Sequence, residues 1–144
     1  MYAPASASNT KEKQQENEAL ARRFHMEIFR GRNCDVSDEI LAPGFVLRNP
    51  ALPPEFTHGP TGVKKFALVV ADSSPEYEVS NHETISKKDI VLIRWRFTGI
   101  LRQEMLGIQP RQKPVIITRF DLFRIRENSK IAEMWQKFSV GSWP

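Results

Sequence analysis

Two long stretches in the second half of the chain, DIVLIRWRFTGIL at 89–101 and PVIITRFDLFRIR at 114–126, are rich in β-branched and aromatic residues and alternate strongly. Such runs form strands, and successive side chains on a strand point to opposite faces. That alternation puts Arg119 and Asp121 on the same face as Phe123 and Ile125. A charge taken out of water needs a partner or a chemical task. Shorter strands are expected on either side, in YEVSNHETIS before them and in KIAEMWQKFSV after the turn ENS. The long strands are joined by RQEMLGIQPRQKP, which contains Gly107 and two prolines.

The first half reads differently. A helix is expected from Thr10 or Lys11 to about Arg30, capped by Asn9 or Thr10 and ended by Gly31, with Leu20, Ala21, Phe24 and Ile28 as its apolar stripe. A short helix fits DVSDEIL, broken by Pro43 and Gly44. FVLRNP is a short extended piece and ALPPEFTHGP a loop. A third helix fits TGVKKFALVVAD, capped by Thr61, with Val63, Phe66, Ala67 and Val70 inward. Helices followed by a strand meander predict an α+β fold, with a curved antiparallel sheet wrapped around the N-terminal helices as a cone. Such a cone has an apolar interior where ligands sit. Residues 1–10 are expected as a disordered tail, 11–139 as one domain and 140–144 as a C-terminal tail.

Several function classes are disfavoured. No apolar run nears the roughly 18 residues that span a bilayer, and the N-terminus lacks a secretory pattern. Cys34 is the lone cysteine, and His25, His58 and His82 have no metal-ligand spacing, so an intracellular protein without a structural metal is expected. The net charge is +4, with a basic stretch from Lys87 to Arg126. Without a nucleic-acid-binding motif, that stretch reads as solvated strand faces and loop.

Taken in this order, FRGRNCDVSDEILAPGFVLRNP, HGPTGVKKF, VLIRWRFTG, GIQP and FDLFRIRENSKIAEMW resemble the SnoaL-like polyketide cyclases. Those belong to the cystatin-like, nuclear transport factor 2-like cone folds. The resemblance implies a cone pocket, a homodimer formed through the sheet and no cofactor. From the residues themselves a cytoplasmic location is expected, with no nucleic-acid or membrane partner. The implied activity is cyclisation or isomerisation of a hydrophobic, oxygenated polyketide- or terpenoid-like metabolite by general acid/base catalysis.

In the family an acid/base aspartate stands on the last strand, where this chain has Gln136. The carboxylate that matches a pocket position is Asp121, on the preceding strand. Asp121 is therefore the expected base or acid, His58 of HGPTG the second proton carrier, and Asn49 of RNP the donor to a developing oxyanion. Against these stand plainer readings: a salt bridge of Asp121 with Arg119 or Arg94, a turn role for Asn49 before Pro50, and a capping role for His58. Arg119 and Gln136 are expected to hold substrate, and Trp95, Phe123, Met134 and Phe45 to form pocket wall or core. Glu104, Met105 and Leu106 are expected over the mouth, and Trp143 near it. His25 reads as a satisfied, semi-buried histidine, His82 as a surface residue, and Cys34 as a weak candidate nucleophile. The glutamine leaves open a non-catalytic binding protein or a dimeric assembly module of the same fold.

Overall fold

The computed structural model describes residues 5–126 and 128–136. Helix α1 spans Ala5–Arg23, upstream of the expected start, and continues as a π-helical segment over Phe24–Arg30. Ala21, Phe24, Ile28 and Phe29 are buried along it. Helix α2 is Val36–Ile40, and α3 is Gly59–Ser73 with Val63, Phe66, Ala67 and Val70 inward. The cap position of α3 is His58 rather than Thr61, and its side chain makes no capping hydrogen bond.

The strands are β1 (Leu41–Arg48), β2 (Glu78–Lys87), β3 (Ile90–Gly99), β4 (Val115–Ile125) and β5 (Ile131–Gln136). They form one curved, unclosed sheet in the order β1-β5-β4-β3-β2. The meander from β2 to β5 is antiparallel, as expected, but β1 pairs with β5 in parallel. Pro43 and Gly44 follow the end of α2 and lie inside β1, and the register shifts there between Leu41 and Val46. A proline offers no amide hydrogen to the ladder, so the pairing slips around it.

The helices cover one face of this sheet, and the core lies between the two layers. Strand β4 shows the alternation clearly: Val115, Ile117, Arg119, Asp121, Phe123 and Ile125 are buried, and Ile116 and Phe120 are exposed. A tight turn over Met105–Ile108 closes one end of the core. Its amides bond reciprocally, at 3.0 and 2.9 Å, around Leu106 and Gly107. Both central residues have positive φ, 51° and 87°, the backbone of a type I′ turn.

Candidate active site

Asp121 is fully buried, with 0% exposure. Its Oδ2 lies 2.7 Å from Nε2 of His25 and also accepts a hydrogen bond from Gln136 Nε2 at 3.3 Å. Gln136 stands directly opposite Asp121 in the β4–β5 ladder. Asn49 Nδ2 donates to Gln136 Oε1 at 3.0 Å, and Asn49 Oδ1 accepts from the Ala51 amide at 3.0 Å. A continuous polar chain therefore runs from the end of β1, through β5 and β4, to the π-helical segment that follows α1. Asn49 both makes a turn before Pro50 and anchors this chain.

His25 occupies the second position of the π-helical segment. Such segments often coincide with functional sites, because the extra residue per turn changes the direction in which side chains leave the helix. The imidazole is buried, stacks on Trp95 at 5.1 Å between centroids, and meets the rings of Phe24 and Phe123 edge-on. An ionised carboxylate can only accept, so with Asp121 ionised and the imidazole neutral, Nε2 carries the proton and Nδ1 the lone pair. Nδ1 has no hydrogen-bond partner among the described residues.

The ring borders an apolar cavity between helices and sheet. Phe24, Phe29, Phe66, Val70, Val79, Phe97 and Ile117 form its apolar wall, Met105 and Leu106 of the tight turn border it, and Trp95, His25 and Gln136 bring the nitrogen and oxygen atoms. The centre of a water-sized sphere can occupy about 40 Å³ of it. One water needs roughly 10–15 Å³ on that measure, so the space takes a few waters or a single small ring.

The expected site residues divide. Asp121, Gln136 and Asn49 are brought together, and Trp95 and Gln136 border the cavity. Phe45, Phe123 and Met134 are buried in the core behind the wall. His58 is exposed, and its ring contacts Thr57 and Pro54, not Asp121. Neither arginine considered for Asp121 is the partner that holds it. Arg94 binds Glu83, and Arg119 donates to the Thr118 carbonyl at 2.6 Å. Burial pulls the Arg119 guanidinium below its ordinary proton affinity. Glu104 and His82 are exposed, and Cys34 is half-buried. Trp143 lies outside the described residues.

The expectation for His25 changes most. The sequence predicts a satisfied, semi-buried histidine there; the ring is in fact buried, and it is the group that faces Asp121. The usable clue was the inward carboxylate itself, which calls for a donor, and His25 flanks the buried stripe of α1. Among the described residues no three His, Cys, Asp or Glu side chains converge as a metal-ligand set, and no helix is long and apolar enough to cross a membrane.

Comparison with known proteins agrees with this architecture. The profile of the SnoaL-like polyketide cyclase family matches residues 19–139. No curated relative matches in sequence. Among solved structures, a Jannaschia sp. CCS1 protein assigned to the SnoaL-like polyketide cyclases superposes with a TM-score of 0.73 at 22% identity, covering 85% of each chain. TsrD from Streptomyces laurentii gives 0.73 at 19%, covering 85% of this chain and 87% of that one. An epoxide hydrolase of the LEH-like kind from M. tuberculosis gives 0.66 at 14%, covering 89% and 86%. At these identities the superpositions speak for the fold alone.

Proposed function

The chain belongs to the SnoaL-like polyketide cyclase family, and from that premise we propose that it is a cofactor-independent cyclase or isomerase that uses His25 as its proton carrier. The observation that carries this reading is the 2.7 Å pair of His25 with the fully buried Asp121 at the wall of an apolar cavity. Asp121 holds the imidazole in one orientation and stabilises the imidazolium that forms. His25 Nδ1 takes a proton from a carbon next to a carbonyl, leaving an enolate. In cyclisation that carbon attacks a second carbonyl of the same molecule, a carbon–carbon bond forms, and the new alkoxide takes the proton back. In isomerisation the proton returns to a different carbon. Asp121 acts through His25, and Asn49 and Gln136 position the pair.

The substrate class is a hydrophobic, oxygenated metabolite of polyketide or terpenoid type. Its reacting end enters the cavity and the remainder extends past the Met105–Ile108 turn. The protein works as a cytoplasmic homodimer in this reading, with the outer sheet face as the contact. Exposed Ile85, Ile116 and Phe120 support that face.

Deuterium uptake from D₂O at the α-carbon of aromatic 3-oxo esters tests the chemistry directly. The native protein should accelerate the exchange, and His25→Gln or Asp121→Asn should each remove about 10²- to 10⁴-fold of that acceleration. A second reading, non-catalytic binding, is favoured by Gln136 at the position of the family's aspartate. Ester binding without any acceleration of exchange would establish it.

A further inference from the structure

The sheet face that lines the cavity has a second polar feature that the proton-transfer pair does not use. Asn81, Trp95 and Arg119 are direct neighbours across β2, β3 and β4. Opposed residues on adjacent strands hold their Cβ atoms about 4.5–5.5 Å apart. Asn81 lies two residues beyond Val79, a wall residue of the cavity, and so faces the same side of the sheet. It is also the last residue before the register of β2 and β3 shifts. Both polar atoms of its amide are buried without a hydrogen-bond partner among the described residues, and so is Trp95 Nε1. Trp95 borders the cavity and its ring is the one stacked on His25.

Buried polar atoms of native proteins are nearly always paired, and each exception calls for an explanation. Here three such atoms lie on one cross-strand step, and the Trp95 ring of that step is stacked on the imidazole. The indole N–H donates, the amide of Asn81 both donates and accepts, and neither group hydrogen-bonds to the Asp121 chain.

We propose that Asn81 and Trp95 form an oxygen-recognising ledge, which takes the carbonyl oxygen of the reacting end of the ligand together with a neighbouring hydroxyl. The indole N–H and the Asn81 amide N–H serve the carbonyl, and Asn81 Oδ1 accepts from the hydroxyl. The ligand end so selected is a neutral hydroxy-ketone or an enolised dicarbonyl. The proposal rests on reading the cavity as the substrate pocket, but it concerns binding and stands apart from turnover.

Three six-membered rings of nearly equal size serve as probes: 2-hydroxycyclohexanone, cyclohexanone and cyclohexane. Affinities are measured for the native protein, Trp95→Phe and Asn81→Leu, with the Trp95 indole resonance followed by NMR. The two ketones should move that resonance and cyclohexane should not. Trp95→Phe should weaken both ketones by roughly 5- to 30-fold, and Asn81→Leu should weaken the hydroxy-ketone most. Cyclohexane should bind all three proteins alike, which also shows that each variant keeps its cavity. Equal losses for all probes, no loss for the ketones, an unmoved indole resonance, or no ketone binding overturns the ledge. Deuterium exchange that persists in those cases leaves the His25 reading standing. Selective ketone binding without exchange removes that reading and keeps the ledge.

Discussion

Strand β4 carries charge on its packed face and hydrocarbon on its wet one. Inward lie Arg119 and Asp121, both buried. Outward lie Ile116 and Phe120, 51% and 52% exposed, with Ile85 of β2 at 65% on the same sheet. Either inversion alone costs free energy. Burying ions forfeits hydration, and exposing a large apolar side chain forgoes its transfer to the core. The inner inversion is compensated locally, because His25 and Gln136 hydrogen-bond the Asp121 carboxylate. The outer one has no covering group among the described residues. On the inner face the buried carboxylate finds donors on neighbouring elements, whereas the outer face gains only when something covers it.

Replacing His25 and Asp121 together by leucine should break the inner face most sharply. Exchange activity should fall by about 10²- to 10⁴-fold, while unfolding free energy holds or rises by about 1–4 kcal/mol, as when buried ion pairs give way to hydrocarbon. Chemical denaturation measures this, and a less stable double variant would mean the pair serves the fold. Asp121→Ala alone should cost about 3–5 kcal/mol, since it leaves His25 and Gln136 facing a void. If it costs under 1 kcal/mol, the hydrogen bonds around Asp121 carry little.

Tyr77→Phe should act more mildly, by about 1 kcal/mol. The Tyr77 hydroxyl donates to the Phe29 carbonyl of the π-helical segment that carries His25. Burial pushes the Tyr77 hydroxyl up, with Arg32 pulling weakly the other way. The folded state therefore keeps this proton longer than the unfolded chain does. Its contribution is whole below about pH 10, the ordinary tyrosine value, and is lost as pH climbs above that. The variant should flatten this alkaline decline in stability, and an unchanged slope would show that other groups govern it.

The outer face should give the smallest change in fold stability. Ile116→Lys with Phe120→Lys should alter monomer unfolding by only about 0.5 kcal/mol. In sedimentation the same variant should shift the native protein from dimer to monomer. A dimer that survives both lysines excludes this face as the contact.

Much of this layout was readable in advance. Alternation alone placed Arg119 and Asp121 inward on β4, while the pairing of Asp121 with Gln136 emerged from the register of the β4–β5 ladder. The partner of Asp121 was not readable, because His25 stands 96 residues away on a helix that switches to π geometry just before it. Helical periodicity fixes a side chain's direction only while the period holds. His58 drew attention as a loop histidine near a proline-rich turn, and it faces outward. Asn81 carried no mark at all, since an asparagine in an irregular strand resembles a surface residue until its neighbours across the ladder are known.

By itself, then, the sequence determined the order of the elements, the face of each long strand and the family. These depend on local steric periodicity and on near-neighbour chemistry. Only the tertiary structure decided that β1 runs parallel to β5, that His25 rather than His58 meets Asp121, and that Asn81 lies beside Trp95. Each of those is a juxtaposition between distant segments, set by how the layers pack and where a strand slips its register. No local pattern encodes them, because the free energy that selects them arises only when both segments are in place.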